Sequence, residues 1–217
     1  MRTSGEWGGG DPPPQDEWSG LLGGGASKAA PFRFPRLARG DDEHDEPGLS
    51  DSDDEEEGAD GSGFGGNEEL LGKVLAQAPG LRDRMVLATK GGIMPPIPYD
   101  SSDAYLRSAV EASLGRLGVE VIDLYQIHRP DMFAHPAQVA ETLSSLVGEG
   151  KIRAVGVSNH TPAQHDALIA HLGDLPLATS QPEYSPAFLG PLRDGTFDLC
   201  MRDGIVPLAW SPLGGGR

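Results

Sequence analysis

Lys90, His128, Asn159, Gln181 and Trp210 each follow or end a short apolar run, and that repeated placement is the first sign of chemistry in this chain. The runs are Met85-Val86-Leu87-Ala88-Thr89, Val121 to Ile127, Ala154-Val155-Gly156-Val157, Leu177 to Ser180 and Ile205 to Ala209. A strand buried on both faces reads as a nearly continuous apolar segment. In α/β architectures the carboxyl ends of parallel strands collect on one face. An amine, an imidazole, two amides and an indole, with the hydroxyls of Ser158 and Ser211 beside them, are thereby expected on a common face. Taken singly, each has a plainer reading: a solvated charge for Lys90, a turn residue for His128, turn chemistry for Ser158-Asn159, a strand-end amide for Gln181, a core residue for Trp210. Only their joint order supports a site.

The elements that must hold them alternate. Asn67 can cap a helix carrying Glu68 and Glu69 in its first turn and Leu70, Leu71, Val74, Leu75 and Ala78 on one side, ended by Pro79-Gly80. Ser102 can cap a second, with Leu106, Ala109, Val110, Leu114 and Leu117 as its apolar face. Pro136 suits the first turn of a third, and Thr161-Pro162-Ala163-Gln164 has the capping-box form ahead of Leu168, Ile169 and Leu172. A last helix over about 194–203 stops at Gly204. Strands are predicted near 85–89, 122–127, 154–158, 177–181 and 206–210, each separated from the next by a helix, which implies parallel pairing through right-handed crossovers. Five strands alone would suit a flavodoxin-like open sheet, which concentrates function at one switch point. A polar group at nearly every strand end is instead the habit of a (β/α)8 barrel, here incomplete, since such a barrel takes about 250 residues.

Composition divides the chain. Residues 1–60 hold 16 acidic against five basic side chains, a net charge of −11 out of the −16 of all 217 residues. With Gly8-Gly9-Gly10, Pro12-Pro13-Pro14, Gly23-Gly24-Gly25 and the acidic run 51–57, residues 1–62 are expected to be a disordered acidic segment ahead of a folded unit over 63–217. Cys200 is the only cysteine, so no intrachain disulfide forms and a cytoplasmic setting is expected. No apolar stretch reaches the roughly 20 residues of a membrane helix, and the start lacks the apolar core of a signal peptide. The acidic balance argues against nucleic acid.

Other motifs fail on context. Gly61-Ser62-Gly63-Phe64-Gly65-Gly66 satisfies G-x-G-x-x-G but follows an acidic run instead of a strand. Gly156-Val157-Ser158-Asn159-His160 lacks the final glycine of a nucleophile elbow. His160, His165 and His171 miss the spacing of a helical zinc pair, and the 51–57 run lacks the glycine of a calcium loop, so no metal site is predicted.

Five segments in order carry a resemblance: Ala88-Thr89-Lys90-Gly91-Gly92, Leu106 to Leu114, Ile122 to Asp131, Gly150 to Asn159 and Ala209 to Arg217. Together they closely resemble the aldo-keto reductase superfamily over about residues 63–217, and Leu177 to Pro186 with the Leu-Gly-Gly-Gly-Arg ending is similar to a bacterial branch of predicted oxidoreductases. The resemblance implies strands 3–7 of a TIM barrel and reduction of small aldehydes or ketones by NADP(H). It implies that Lys90 assists a tyrosine proton donor and that His128 binds and polarises the carbonyl. It assigns Ser158, Asn159 and Gln181 to the nicotinamide carboxamide, Trp210 to stacking on its ring, and Ser211 and Leu213 to the pyrophosphate.

Upstream of Gly63 the family pattern Asp-x-Ala-Asp-x-Tyr-Gly meets Glu57-Gly58-Ala59-Asp60-Gly61-Ser62-Gly63. The catalytic aspartate falls on Glu57 and the tyrosine on Ser62, so the reductive step is expected to be impaired. The chain reads as truncated or frame-disrupted at its N-terminal side and truncated after strand 7, with marginal stability from open sheet edges. A non-catalytic nicotinamide-nucleotide-binding or interaction protein on the same scaffold stays open as the alternative. Substrate and oligomeric state are not set by these residues.

Overall fold

In the computed structural model, residues 65–93 and 99–216 are described. The acidic segment and the Glu57 and Ser62 positions lie outside them. The elements run α1 (Gly66–Gln77), α2 (Pro79–Arg82), β1 (Ala88–Gly91), α3 (Asp103–Leu117), β2 (Ile122–Ile127), α4 (Pro136–Gly148), β3 (Ile152–Ser158), α5 (Pro162–Leu172), β4 (Leu177–Gln181), α6 (Thr196–Asp203) and β5 (Val206–Pro207). All five strands pair in parallel and in chain order, β1-β2-β3-β4-β5. A doubly wound sheet would reverse direction at a switch point; this order has no reversal, so the flavodoxin-like alternative falls.

The two faces of the sheet differ. One is covered by helices, with Tyr125, Ile127, Val155, Val157 and Leu177 packed into a core with Leu106, Val110, Leu143, Leu146, Leu168 and Leu199. The other carries a small cluster of Leu124, Ala154 and Ala178 with Leu208, which contains no helix residue. Helices on one face and small inward residues on the other mark a five-strand sector of a (β/α)8 barrel. One irregularity keeps the strands in phase. Val155 pairs with Leu177 and Gly156 with Thr179, so Ala178 is a bulge residue. Leu177 thus faces the helices while Ala178 and Thr179 both face inward, where the Gln126 Nε2 donates to Thr179 Oγ1 at 3.2 Å. Gly156 makes room for that crossing, since a Cβ there would stand 2.1 Å from Thr179 Oγ1.

Several elements form for the reasons their sequences suggest. Ser102 Oγ accepts from the Tyr105 N–H at 3.3 Å, the Thr161–Gln164 capping box is closed in both directions, and Gly204 ends α6 in the left-handed region. Others differ. The cap of α1 is Gly65 at φ 91, with Asn67 inside the first turn, because glycine enters a helix at positive φ without strain. Pro79 starts the short α2 instead of merely ending α1. Leu70 and Val74 are 62% and 42% exposed, since α1 packs mainly on α3, where a Cβ on Gly72 would meet the Arg116 carbonyl at 2.3 Å. The first strand occupies 88–91 in place of 85–89 because the Leu87 N–H is taken by the Asp123 carboxylate at 2.8 Å. The last is reduced to Val206–Pro207: the Leu208 N–H still donates to the Ser180 carbonyl at 2.8 Å, but Pro182 opposite has no N–H to return the next bond.

Asp123 is the electrostatic anchor at the amino ends of the strands. It is 5% exposed, and its carboxylate meets Arg82 at 2.7 Å, Arg153, and the Leu87 N–H. Burial alone would raise its pKa, but Arg82, the Leu87 N–H and Arg153 together hold the carboxyl below its ordinary value. Removing the charge takes the carboxylate partner from Arg82, whose side chain is 22% exposed, while Arg153, 60% exposed, stays in contact with water. Asp123→Asn is expected to cost about 3 kcal/mol by chemical denaturation. Because the folded carboxyl titrates lower than the unfolded one, its contribution is complete above about pH 4 and disappears as pH falls through the folded value, so the Asn variant should show a flatter acid limb.

Tyr125 poses the opposite case. Its ring is fully buried, its hydroxyl has no hydrogen-bond partner among the described residues, and burial pushes the phenol well above its usual pKa. A Cβ on Gly91 would lie 1.9 Å from that hydroxyl. Tyr125→Phe is expected to raise stability by about 1 kcal/mol in urea unfolding. Gly91→Ala should destabilise, and less so in the Phe background.

Candidate functional site

The carboxyl ends of β1 to β5 place the candidate residues. Lys90 is paired with Gln126 of β2, and Ala88 with Leu124, so Lys90 shares the inward phase of Leu124 and Gln126. The His128 N–H continues that ladder, donating to the Gly91 carbonyl at 2.8 Å two residues beyond Gln126. Lys90 and His128 therefore occupy neighbouring strand ends in the same phase.

At the ends of β3, β4 and β5 the side chains of Ser158, Asn159 and Trp210 and the backbone carbonyl of Gln181 form one hydrogen-bonded group. Ser158 and Gln181 are register partners and both are buried. The Gln181 carbonyl accepts two hydrogen bonds, from Ser158 Oγ at 2.9 Å and from the Asn159 N–H at 3.1 Å. Asn159 leaves the strand at φ 55, a left-handed conformation that asparagine tolerates better than most residues. Its Nδ2 donates to Ser158 Oγ at 2.9 Å, and its Oδ1 accepts from the Trp210 indole Nε1 at 2.8 Å. The Trp210 N–H donates to the Pro182 carbonyl at 3.1 Å, and its carbonyl accepts from the Tyr184 N–H at 3.3 Å, which tie the segment after β5 to the one after β4.

Ser211 follows at φ 48 and opens a turn closed by the Gly214 N–H on its carbonyl at 2.8 Å. Gly214, Gly215 and Gly216 all have positive φ, a path that side chains would obstruct. Leu213 in this turn is 92% exposed. Structure thus joins Ser158, Asn159, Gln181 and Trp210 directly, sets Lys90 and His128 on the adjoining strands, and leaves Ser211 and Leu213 in the turn beyond.

Three contributors carried no role in the sequence reading. Arg129 places its guanidinium carbon 5.6 Å from the Trp210 ring centroid. Asp131 accepts from the Ser101 N–H at 2.9 Å and the Phe133 N–H at 2.8 Å, fastening the loop after β2 to the one after β1. His160 lies behind Asn159 with Nδ1 3.0 Å from the Ser158 carbonyl, an acceptor, so that nitrogen carries the proton. Burial pulls its pKa down to about 4, against the weaker support of the Ser158 carbonyl. Two of these contacts, from Arg129 to Trp210 and from Asp131 to Ser101, reach loops that follow other strands. No local pattern pairs Arg129 with Trp210 or Asp131 with Ser101, whereas the Phe133 and Ser158 contacts each span two residues.

Residues 61–217 match the profile of the aldo/keto reductase family. The 6-dehydroglucose reductase of Novosphingobium aromaticivorans is 58% identical over 161 residues, which cover 74% of this chain and 53% of that protein. Among solved structures, glycerol dehydrogenase AKR11B4 from Gluconobacter oxydans aligns with a TM-score of 0.64 at 37% identity over 70% of this chain and 47% of its own. An aldo/keto reductase from Klebsiella pneumoniae in complex with NADP and acetate aligns with a TM-score of 0.60 at 33% identity over 69% and 50%. The chain spans about half the length of the curated relatives it matches.

The half-buried His160, neutral at ordinary pH, makes the site's backing sensitive to acid. Its folded pKa of about 4 is below the ordinary 6.5, so its contribution is complete above about pH 6.5 and is lost as pH falls towards 4. His165, fully buried with its pKa also lowered, adds to the same trend. Unfolding midpoints measured across this window should decline, and His160→Asn should make the decline shallower. An unchanged slope would show that His160 is not proton-linked to folding.

Proposed function

Given that the chain belongs to the aldo/keto reductase family, we propose that these strand ends form the cofactor and carbonyl face of an NADP(H)-dependent reductase of small aldehydes or ketones. The observation that carries this reading is the bonded group Ser158, Asn159, Gln181 and Trp210 at the same strand ends as Lys90 and His128. Its donor set suits a nicotinamide. After its two side-chain bonds, the Asn159 amide keeps one N–H and one lone pair, the complement of a carboxamide. Trp210 offers an indole face for stacking. The Ser211 to Gly216 turn, with Leu213 at its surface, offers backbone for close approach to a pyrophosphate.

Bound NADPH would supply the hydride. The chain's own part is to orient and polarise: His128 holds the carbonyl oxygen, and Lys90 places positive charge where negative charge develops. The family's tyrosine and aspartate fall on Ser62 and Glu57, outside the described residues. A serine hydroxyl is a poor general acid, and general-acid catalysis contributes about 10²–10⁴-fold, so turnover by this chain is expected to be slow. That same substitution favours the second reading, a nicotinamide-nucleotide-binding protein without turnover. A cytoplasmic setting and an absence of nucleic-acid partners accord with the single buried Cys200 and the acidic charge. No helix among the described residues is long and apolar enough to cross a membrane.

The test is titration with NADPH followed by assay on a panel of carbonyl compounds. The relative's name makes 6-dehydroglucose the first to try. Binding with turnover about 10²-fold or more below that relative's, further reduced in Lys90→Met, is the expected result. Absence of NADPH binding overturns the cofactor reading. Turnover insensitive to Lys90→Met overturns the assigned site.

A further inference from the structure

Arg129 is a cation whose placement looks built. Its backbone lies between two fixed points: the His128 N–H is bonded to the Gly91 carbonyl, and Asp131 is fastened to the Ser101 and Phe133 N–H groups. Pro130 further restricts Arg129 to extended conformations. Half-buried, it makes no ion pair among the described residues. Its charge is spent on the Trp210 ring, 5.6 Å from guanidinium carbon to centroid.

Trp210 is held at its other end by the Nε1–H to Asn159 Oδ1 bond. A cation over the face of an indole is attracted by the ring quadrupole and draws electron density from it, which makes the N–H a better donor. From this juxtaposition we infer that Arg129 is a positioning residue for the nicotinamide site: it clamps one face of Trp210, strengthens the indole bond to Asn159, and leaves the opposite face for the cofactor. The inference rests on the cofactor reading above and adds a coupling to it. The loop carrying His128, which meets the substrate, and the segment carrying Trp210, which meets the cofactor, are joined by one side chain. Ordering either loop therefore orders the other.

The test uses the full chain carrying Trp7→Phe and Trp18→Phe, so that Trp210 is the only fluorophore of its type. Two measurements are made on Arg129→Met, which keeps length and loses charge, and on Arg129→Lys, which keeps the cation. Without cofactor, acrylamide quenching reads how well the ring is held: Arg129→Met is expected to raise the quenching constant, and Arg129→Lys to stay close to the parent. With NADPH, Arg129→Met is expected to weaken binding by about threefold to tenfold, with Arg129→Lys recovering most of it. In a cycle with Trp210→Leu, the double variant should bind no worse than Trp210→Leu alone. Additive losses would mean that Arg129 touches the ligand itself and would overturn the inference. So would unchanged quenching in Arg129→Met. A parent chain that takes up no NADPH would instead sink the proposed function, and the quenching comparison would still decide whether Arg129 holds the ring.

Discussion

The Gln181 carbonyl, at the end of β4, accepts from both Ser158 Oγ and the Asn159 N–H, and the arrangement of the site depends on that shared acceptor. A carbonyl has two lone pairs, and filling both from one neighbouring strand end leaves the chain little freedom in how it leaves β3. Asn159 is turned into the left-handed region as a result, and its amide is aimed across the sheet at Trp210, 51 residues further on. A hydrogen bond made among buried groups is modest in net energy but costly to leave unmade. The group is linked through the Asn159 side chain, whose loss would take a partner from both Ser158 Oγ and the Trp210 indole N–H.

That unit needs strands in phase, and the phase is maintained by the bulge at Ala178. Without the extra residue, the side chains of β4 beyond Leu177 would exchange faces. Thr179 would leave Gln126, and Ser180 would lose His165, whose Nε2 lies 2.9 Å from its hydroxyl. At the opposite ends of the strands, Asp123 binds Arg82, Arg153 and the Leu87 N–H. The amino ends thus hold charge as structure, while the carboxyl ends hold polar groups whose bonding capacity is only partly used.

Much of the layout was legible locally. The alternation of elements, the Ser102 and Thr161 caps and the left-handed end at Gly204 follow from interactions within four residues, which is the range over which sequence speaks directly. The misplacements have non-local causes. The first strand moved because Asp123, 36 residues away, claims the Leu87 N–H. Helix α1 reads as amphipathic yet leaves Leu70 and Val74 in water, since its depth of burial is decided by its packing partner α3.

By itself, the sequence determined the parallel β/α alternation, the strand ends on which Lys90, His128, Asn159, Gln181 and Trp210 stand, and, through the order of five motifs, the family. Period, capping and turn chemistry are local, and motif order is linear. Only tertiary structure decided which of those residues touch. That Trp210 bonds Asn159 and that Arg129 covers its ring depend on strand register and loop path. These are set by contacts between segments distant in the chain, which no local pattern encodes.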